Sequence, residues 1–315
     1  MTTYVPGYYQ NFSCIGAQCR HNCCIGWEID IDAQTFEAYQ KMNGEFGQRL
    51  RANISGTEAV PHFVLNERER CPFLNEQNLC EIILNLGKDR LCCICRDHPR
   101  FRNFFSSLIE EGLGLCCEEA ARLILTDKSK FILKKQGADI ETPTCLPEEK
   151  EFFHFRQNLI EQLQDRSLSF SVRLYNILKQ SDTMLPEKSP EQWAGILLGL
   201  EQMDPEWKKW LEALKKLPQF SFADIHDACL TLALEQLAVY FLFRHLADGL
   251  YDGRIRERIA FSVFSVLMIY HLYLSQIGPG AQFQFSVLAE TARRYSAEIE
   301  YSDENLEALF ALFRQ

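Results

Sequence analysis

The chain has 315 residues, 47% hydrophobic and 24% charged, with a formal net charge of −10. This is the composition of a globular protein able to bury a large core, as one extended domain or two modest ones. The acid excess excludes nucleic acid as the main partner, because neutralising phosphates needs clustered lysine and arginine, and it leaves room for a basic partner such as a lysine-bearing protein.

The opening residues, MTTYVPGYYQ, carry neither a basic n-region nor an apolar h-region, so the expected location is cytoplasmic and reducing. Twelve of the thirteen cysteines fall before residue 146. An odd count and three adjacent pairs (Cys23-Cys24, Cys92-Cys93, Cys116-Cys117) favour metal ligation over disulfides. Cys229, in an apolar helical stretch, reads as a small core residue.

In chain order, Asp32 is positioned to cap a short helix running through Phe36 and Tyr39. Residues 100–115 suggest a hairpin with its turn at the Glu-Gly pair, and 118–125 a helix with acidic residues in its first turn. Two prolines and a charge run at 141–150 place a boundary there, dividing the chain into residues 1–145 and 146–315. Beyond it, apolar residues at three- and four-residue spacing predict helices near 151–180, 191–216, 224–249, 254–276, 285–299 and 303–314. Residues 259–274 are free of charge but short of a membrane span, which makes a central core helix the expectation and membrane contact the lesser alternative. The expected fold is mainly α, with a loop-rich, cysteine-rich metal-binding N-terminal module containing a short hairpin, followed by an irregular α-helical domain.

The cysteines form four blocks: NFSCIGAQCRHNCCIGW (11–27), CPFLNEQNLC (71–80), RLCCICRDHPR (90–100) and LCCEEAARLIL (115–125). Soft thiolates select zinc, copper(I) or iron–sulfur clusters. Tetrahedral zinc needs only four ligands in paired arms, and neither His21 nor His98 has a partner at zinc-finger spacing. A [4Fe–4S] cluster takes four thiolates, often three close together and one distant, which this layout supplies; zinc is the alternative, and the thiol count admits two sites. A C-x3-C-x2-C cluster motif is broken at Gly26, and no glycine-rich nucleotide fingerprint follows a strand.

These four blocks, together with EQLAVYFLFRHLADGLYDG (235–253), resemble the flagellin lysine-N-methylase family, whose cysteine-rich part is similar to the YkgJ-type cluster-binding module. The resemblance implies S-adenosylmethionine (SAM) as methyl donor, an iron–sulfur cluster, and flagellin lysines as acceptors. Matched position by position, it implies Cys14, Cys19, Cys23, Cys24, Cys71, Cys80, Cys92, Cys95 and Cys117 as metal ligands, with Cys93 and Cys116 as extras. On the helix at 235–252, Glu235 and Tyr240 are candidates to orient the lysine amine, and Arg244 to hold the donor's carboxylate. The competing reading is a buried Glu–Arg network tying helices together. Arg96 and Arg100 are candidates to neutralise an anionic cluster, and His245 and His271 read as core histidines. A non-enzymatic zinc- or iron–sulfur-binding protein, docking a partner or passing electrons, is the alternative function.

Overall fold

The computed structural model describes residues 1–56, 60–137, 144–219, 225, 227–278 and 280–314. The described residues hold six strands and fourteen α-helices, so the protein is mainly α. In chain order they are β1 (Thr2–Pro6), α1 (Ala33–Gln40), α2 (Gly44–Ala52), β2 (Ile54–Ser55), β3 (His62–Phe63), α3 (Glu81–Leu86), α4 (Cys93–Asp97), β4 (Arg100–Phe104), β5 (Leu108–Leu113) and α5 (Glu118–Thr126). There follow β6 (Leu133–Gln136), α6 (Pro147–Leu163), α7 (Phe170–Gln180), α8 (Pro190–Leu198), α9 (Pro205–Leu214), α10 (Ala228–His245), α11 (Gly249–Asp252), α12 (Ile255–Ile277), α13 (Phe285–Ile299) and α14 (Asp303–Leu312).

The chain divides into two compact units, one of residues 13–100 and one of residues 1–12 with 101–315. This differs from the expected division at 145/146: residues 101–137, with 144 and 145, cluster with the helices. The reason is the sheet, ordered β4-β5-β1-β6, which unites the first residues of the chain with the segment after residue 100. Strand β1 runs parallel to β5, with Thr3 opposite Ile109, and antiparallel to β6, with Val5 opposite Lys134. The expected boundary run lies partly outside the described residues, which omit 138–143.

The expected hairpin forms as β4 and β5, but its turn is Phe105–Ser107 and the Glu-Gly pair lies inside β5. Both strand carboxylates are satisfied. Glu110 pairs bidentately with Arg156 of α6, and Glu111 accepts from Tyr9 and from Arg102 Nε at 2.6 Å. Charged residues stand in this strand because their partners are buried with them. Gly112 is required for close approach: a Cβ there would lie 2.3 Å from the Phe101 ring and 2.9 Å from Phe243.

Two predicted helical segments each break into a pair of helices. The first becomes α6 and α7, with Asp165 accepting from the Ser167 N–H in the turn between them. The second becomes α8 and α9, where Pro205 occupies the first turn of α9 and Asp204 caps it. The start expected at residue 224 lies outside the described residues, and α10 begins at Ala228 under an Asp227 cap. Cys229, expected in the core, is exposed in that first turn, before the buried face of the helix begins at Leu230.

Helix α12 is long and apolar enough to cross a membrane by length and composition alone, yet most of it is buried by α10, α13, α9, α14 and α7. Its polar residues are absorbed locally: Ser262 Oγ donates to Arg258 O at 2.8 Å, and Ser265 Oγ meets the Tyr295 hydroxyl at 3.0 Å. Val266, fully buried at its centre, tests this environment. Val266→Asp places an unpaired carboxylate in the core and should destabilise the protein by ~3 kcal/mol or more, read as lost helicity or insolubility by circular dichroism. A normally folded variant would show that the helix faces something other than the core.

Candidate functional site

Within the 13–100 unit, a few polar side chains set the backbone around the cysteines. Asp32 caps α1 as expected, its Oδ1 accepting from Thr35 N at 3.0 Å, and its Oδ2 accepts from Cys93 N at 2.8 Å. One carboxylate therefore closes the N-termini of two helices, and the second carries Cys92 and Cys95. Partial burial pushes Asp32 up, but the Cys93 and Thr35 N–H groups outweigh it and hold the carboxyl at about 2. Tyr39, on α1, donates to Arg90 O at 2.6 Å and ties down the same segment. The segment 71–80 is held by Cys71 N donating to Cys24 O at 2.8 Å, and by Arg49, which binds Pro72 O at 2.8 Å and the Glu81 carboxylate.

Six thiols in this unit perturb one another's protonation: Cys23, Cys24, Cys71, Cys80, Cys92 and Cys95. Cys23 is hydrogen-bonded to Cys24 and Cys92 to Cys95; in each pair the first thiol is pulled down and the second pushed up. Cys71 is pushed up to about 11, first by burial and then by neighbouring thiols, against an N–H from Phe73. Cys80 is raised by burial, against N–H groups from Ile83 and Ile82. These backbone donors favour thiolate, the form that binds metal. Among the described residues, no three or more His, Cys, Asp or Glu side chains stand in a geometry that could hold a metal ion.

The remaining predicted ligands are placed differently. Cys14 is exposed, and Cys19 Sγ donates to His21 O at 3.2 Å. Cys117 lies in the other unit as the N-cap of α5. Of the adjacent pair, Cys92 faces the thiol group, whereas Cys93 Sγ accepts from Arg96 at 3.2 Å. Arg96 also pairs with Asp97 at 3.2 Å.

The residues expected to bind donor and amine lie on α10 in two separate networks. Glu235, 1% exposed, accepts from Arg173 at 2.6 Å, from Arg166 at 2.9 Å and from Gln164 at 3.3 Å. Tyr240 donates to Glu300 at 3.1 Å and accepts from Leu115 N and from Arg244. Arg244 reaches Glu300 through Nε at 3.2 Å, with its guanidinium 5.1 Å from both the Phe101 and Tyr301 rings. His245 joins through Nε2 at 2.7 Å from Glu300, and burial lowers its pKa against that hydrogen bond. His271 is buried and bonds Leu267 O at 2.8 Å. The sequence reading missed Glu300 and the bracing contacts of Tyr39 and Arg49, whose partners lie far away in sequence, and it took Cys116 only as an extra thiol. Cys116 is buried, pushed up to about 12 by that burial against a hydrogen bond from Tyr301.

Two outcomes follow from this geometry. Because the folded pKa of Asp32 is depressed below the ordinary 3.8, its stabilisation is fully present above that value and is lost as pH falls toward 2. Asp32→Asn should therefore lower Tm at pH 5, by an amount that shrinks steadily on acidification; a pH-independent gap would remove the carboxylate from this role. Glu235→Gln leaves Arg173 buried without a counter-charge and should cost ~3 kcal/mol or more, with any activity falling in parallel. An unchanged Tm with selectively reduced turnover would instead put Glu235 at the reacting amine.

No family model and no solved structure matches the chain. It is 27% identical over 161 residues to lysine-N-methylases of Salmonella choleraesuis (strain SC-B67) and Salmonella typhimurium (strain LT2), a match covering 47% of this chain and 38% of each relative. It is also 27% identical over 182 residues to the flagellar biosynthetic protein FliU of Salmonella muenchen, covering 55% of this chain and 96% of that protein. The chain thus spans well under half the length of the two methylases it matches. These similarities bear out the resemblance to the flagellin lysine-N-methylase family.

Proposed function

We propose that the protein is a SAM-dependent protein lysine N-methyltransferase acting on flagellin in the cytoplasm, with an iron–sulfur cluster in its 13–100 unit. The observation that carries this reading is the similarity to two lysine-N-methylases and to FliU. The cluster is supported by the donor set: six soft thiols in one unit, several of them accepting backbone N–H bonds. Cys71, Cys80 and members of the Cys23/Cys24 and Cys92/Cys95 pairs would hold it, and zinc is the alternative occupant. A bound iron–sulfur cluster would supply one-electron chemistry or structural bracing.

The chain's own residues constrain how methyl transfer runs. The lysine nucleophile must be neutral, which a dry pocket favours. A SAM carboxylate arriving at Arg244 would have to compete with Glu300, which already occupies that guanidinium. Glu235 is likewise committed to two arginines. This commitment favours architecture over chemistry for the α10 residues, and it is the observation behind the second reading, a non-enzymatic metal-binding protein with a helical docking or electron-transfer role.

Anaerobic isolation followed by incubation with flagellin and labelled SAM tests both parts. The expected product is flagellin carrying methyl increments on lysines, formed at a rate that falls with ionic strength. The isolated protein should contain about four iron and four sulfide per cluster, lost in Cys71→Ser and Cys92→Ser and kept in Cys229→Ser. Stoichiometric zinc without iron would overturn the cluster. Unmodified flagellin with metal-loaded protein would leave the non-enzymatic reading standing.

A further inference from the structure

A groove of about 320 Å³ opens in the helical unit where the loop between α5 and β6 crosses the end of β1. Lys128, Lys130 and Lys134 line it, with Asn11, Thr126 and Ser129. All three lysines are exposed, and among the described residues none is held in an ion pair. In a chain of net charge −10, three lysines against one lining carboxylate, Asp127, are a local reversal of sign.

The groove is also built in advance. Gln236, buried on α10, donates through Nε2 to Asp127 O at 2.7 Å and to Ser129 O at 3.0 Å. Arg166 donates to Lys128 O at 3.2 Å, and Gln164 Oε1 accepts from Phe131 N at 2.9 Å. Gly7 N donates to Ile132 O at 3.1 Å and docks the loop on β1. The side chains of Gln164, Arg166 and Gln236 thus fix the backbone of the loop that carries Lys128 and Lys130, which lowers the ordering cost of binding there. The acidic lining residue, Asp127, is turned to its own loop, its Oδ1 accepting from Ser129 N at 2.9 Å. Asp165 lies within electrostatic reach of Lys130, and its carboxylate is held by Ser167.

We propose that this groove is a binding site for a phosphate-bearing anion. Carboxylate recognition favours the two-pronged arginine fork, and no arginine lines the groove. Three ammonium point charges instead suit a compact multivalent anion, with the Ser129 hydroxyl and Asn11 amide as neutral donors. The volume lies at the lower end of the roughly 300–1,000 Å³ typical of small-molecule sites, which suits one phosphorylated headgroup. The proposal is independent of methyl transfer.

The test is calorimetric titration of the full chain with pyrophosphate and inorganic phosphate at low ionic strength, with succinate as a carboxylate control. Saturable 1:1 binding of pyrophosphate is expected, weakened ~10-fold or more in Lys128→Gln/Lys130→Gln/Lys134→Gln. The charge-matched Lys208→Gln/Lys209→Gln/Lys216→Gln variant should bind as the wild type does, and single Lys130→Gln should fall between. Sedimentation with phosphatidic acid vesicles, lost in the first triple variant, would assign the phosphate to a lipid headgroup; no sedimentation assigns it to a soluble molecule. Lack of saturation, equal weakening by both triple variants, or preference for succinate would overturn the site.

Discussion

Burying a carboxylate without a counter-charge is among the costliest events in folding, and the helical unit buries several. Glu110, Glu149, Glu235, Glu298 and Glu300 are each no more than 5% exposed. The architecture follows from how each is answered. Glu110 draws Arg156 of α6 onto the sheet. Glu235 draws Arg173 from α7 and Arg166 from the turn before it, which fixes the break between α6 and α7. Glu298 accepts from the N–H groups of Met203 and Asp204, anchoring the start of α9 to α13. Glu300 sits at the C-terminal cap of α13, where the helix dipole disfavours negative charge. It is stable there because Arg244, His245 and Tyr240 all reach it from α10.

The 13–100 unit is organised by a different constraint. Among the described residues its apolar core contains ten buried side chains, two of which are Cys71 and Cys92. Such a core is small for an independent unit, and small units usually gain stability from a metal or cross-links. Its polar braces act on the backbone that carries the cysteines: Asp32 on the Cys92–Cys95 turn, Tyr39 on Arg90, Arg49 on Pro72. The paired thiol and then burial raise Cys24 and Cys95, and burial and then neighbouring thiols raise Cys71 and Cys80, so without a metal these four thiols hold their protons more tightly than free thiols do. Metal ligation would have to displace those protons, which makes it dependent on pH.

What was legible in the sequence was local. The Asp32 cap, the α5 helix with Glu118 and Glu119 in its first turn, and the core helix α12 with its charge-free stretch 259–274 all follow from periodicity or from side chain to backbone bonds within four residues. The cysteine blocks were legible as a soft-ligand set, but not which thiols face one another. That depends on the Cys71–Cys24 backbone bond and on Asp32 reaching Cys93, sixty-one positions away. The parallel pairing of β1 with β5 was invisible, because Thr2–Pro6 is too short to show alternation. The Glu-Gly pair read as a turn because acidic residues rarely sit in a strand, and only Arg156, Arg102 and Tyr9 make that placement tolerable.

The polar face of α10 shows how far a family-like motif can be taken without coordinates. Helical spacing puts Tyr240 and Arg244 on one face and turns Glu235, nine residues before Arg244, to a different neighbour. Glu235 faces α7 and the turn before it, while Tyr240 and Arg244 face the end of α13. Gln236, one position along, reaches a third partner, the loop between α5 and β6. Arg166 links two of these sets, since the guanidinium that neutralises Glu235 also fixes Lys128 O. The polar residues of α10 therefore act first as a frame: one end braces the junction with α13, and the other holds the lysine-lined groove open. Among the described residues, the three lysines of that groove are not drawn into this frame by any ion pair.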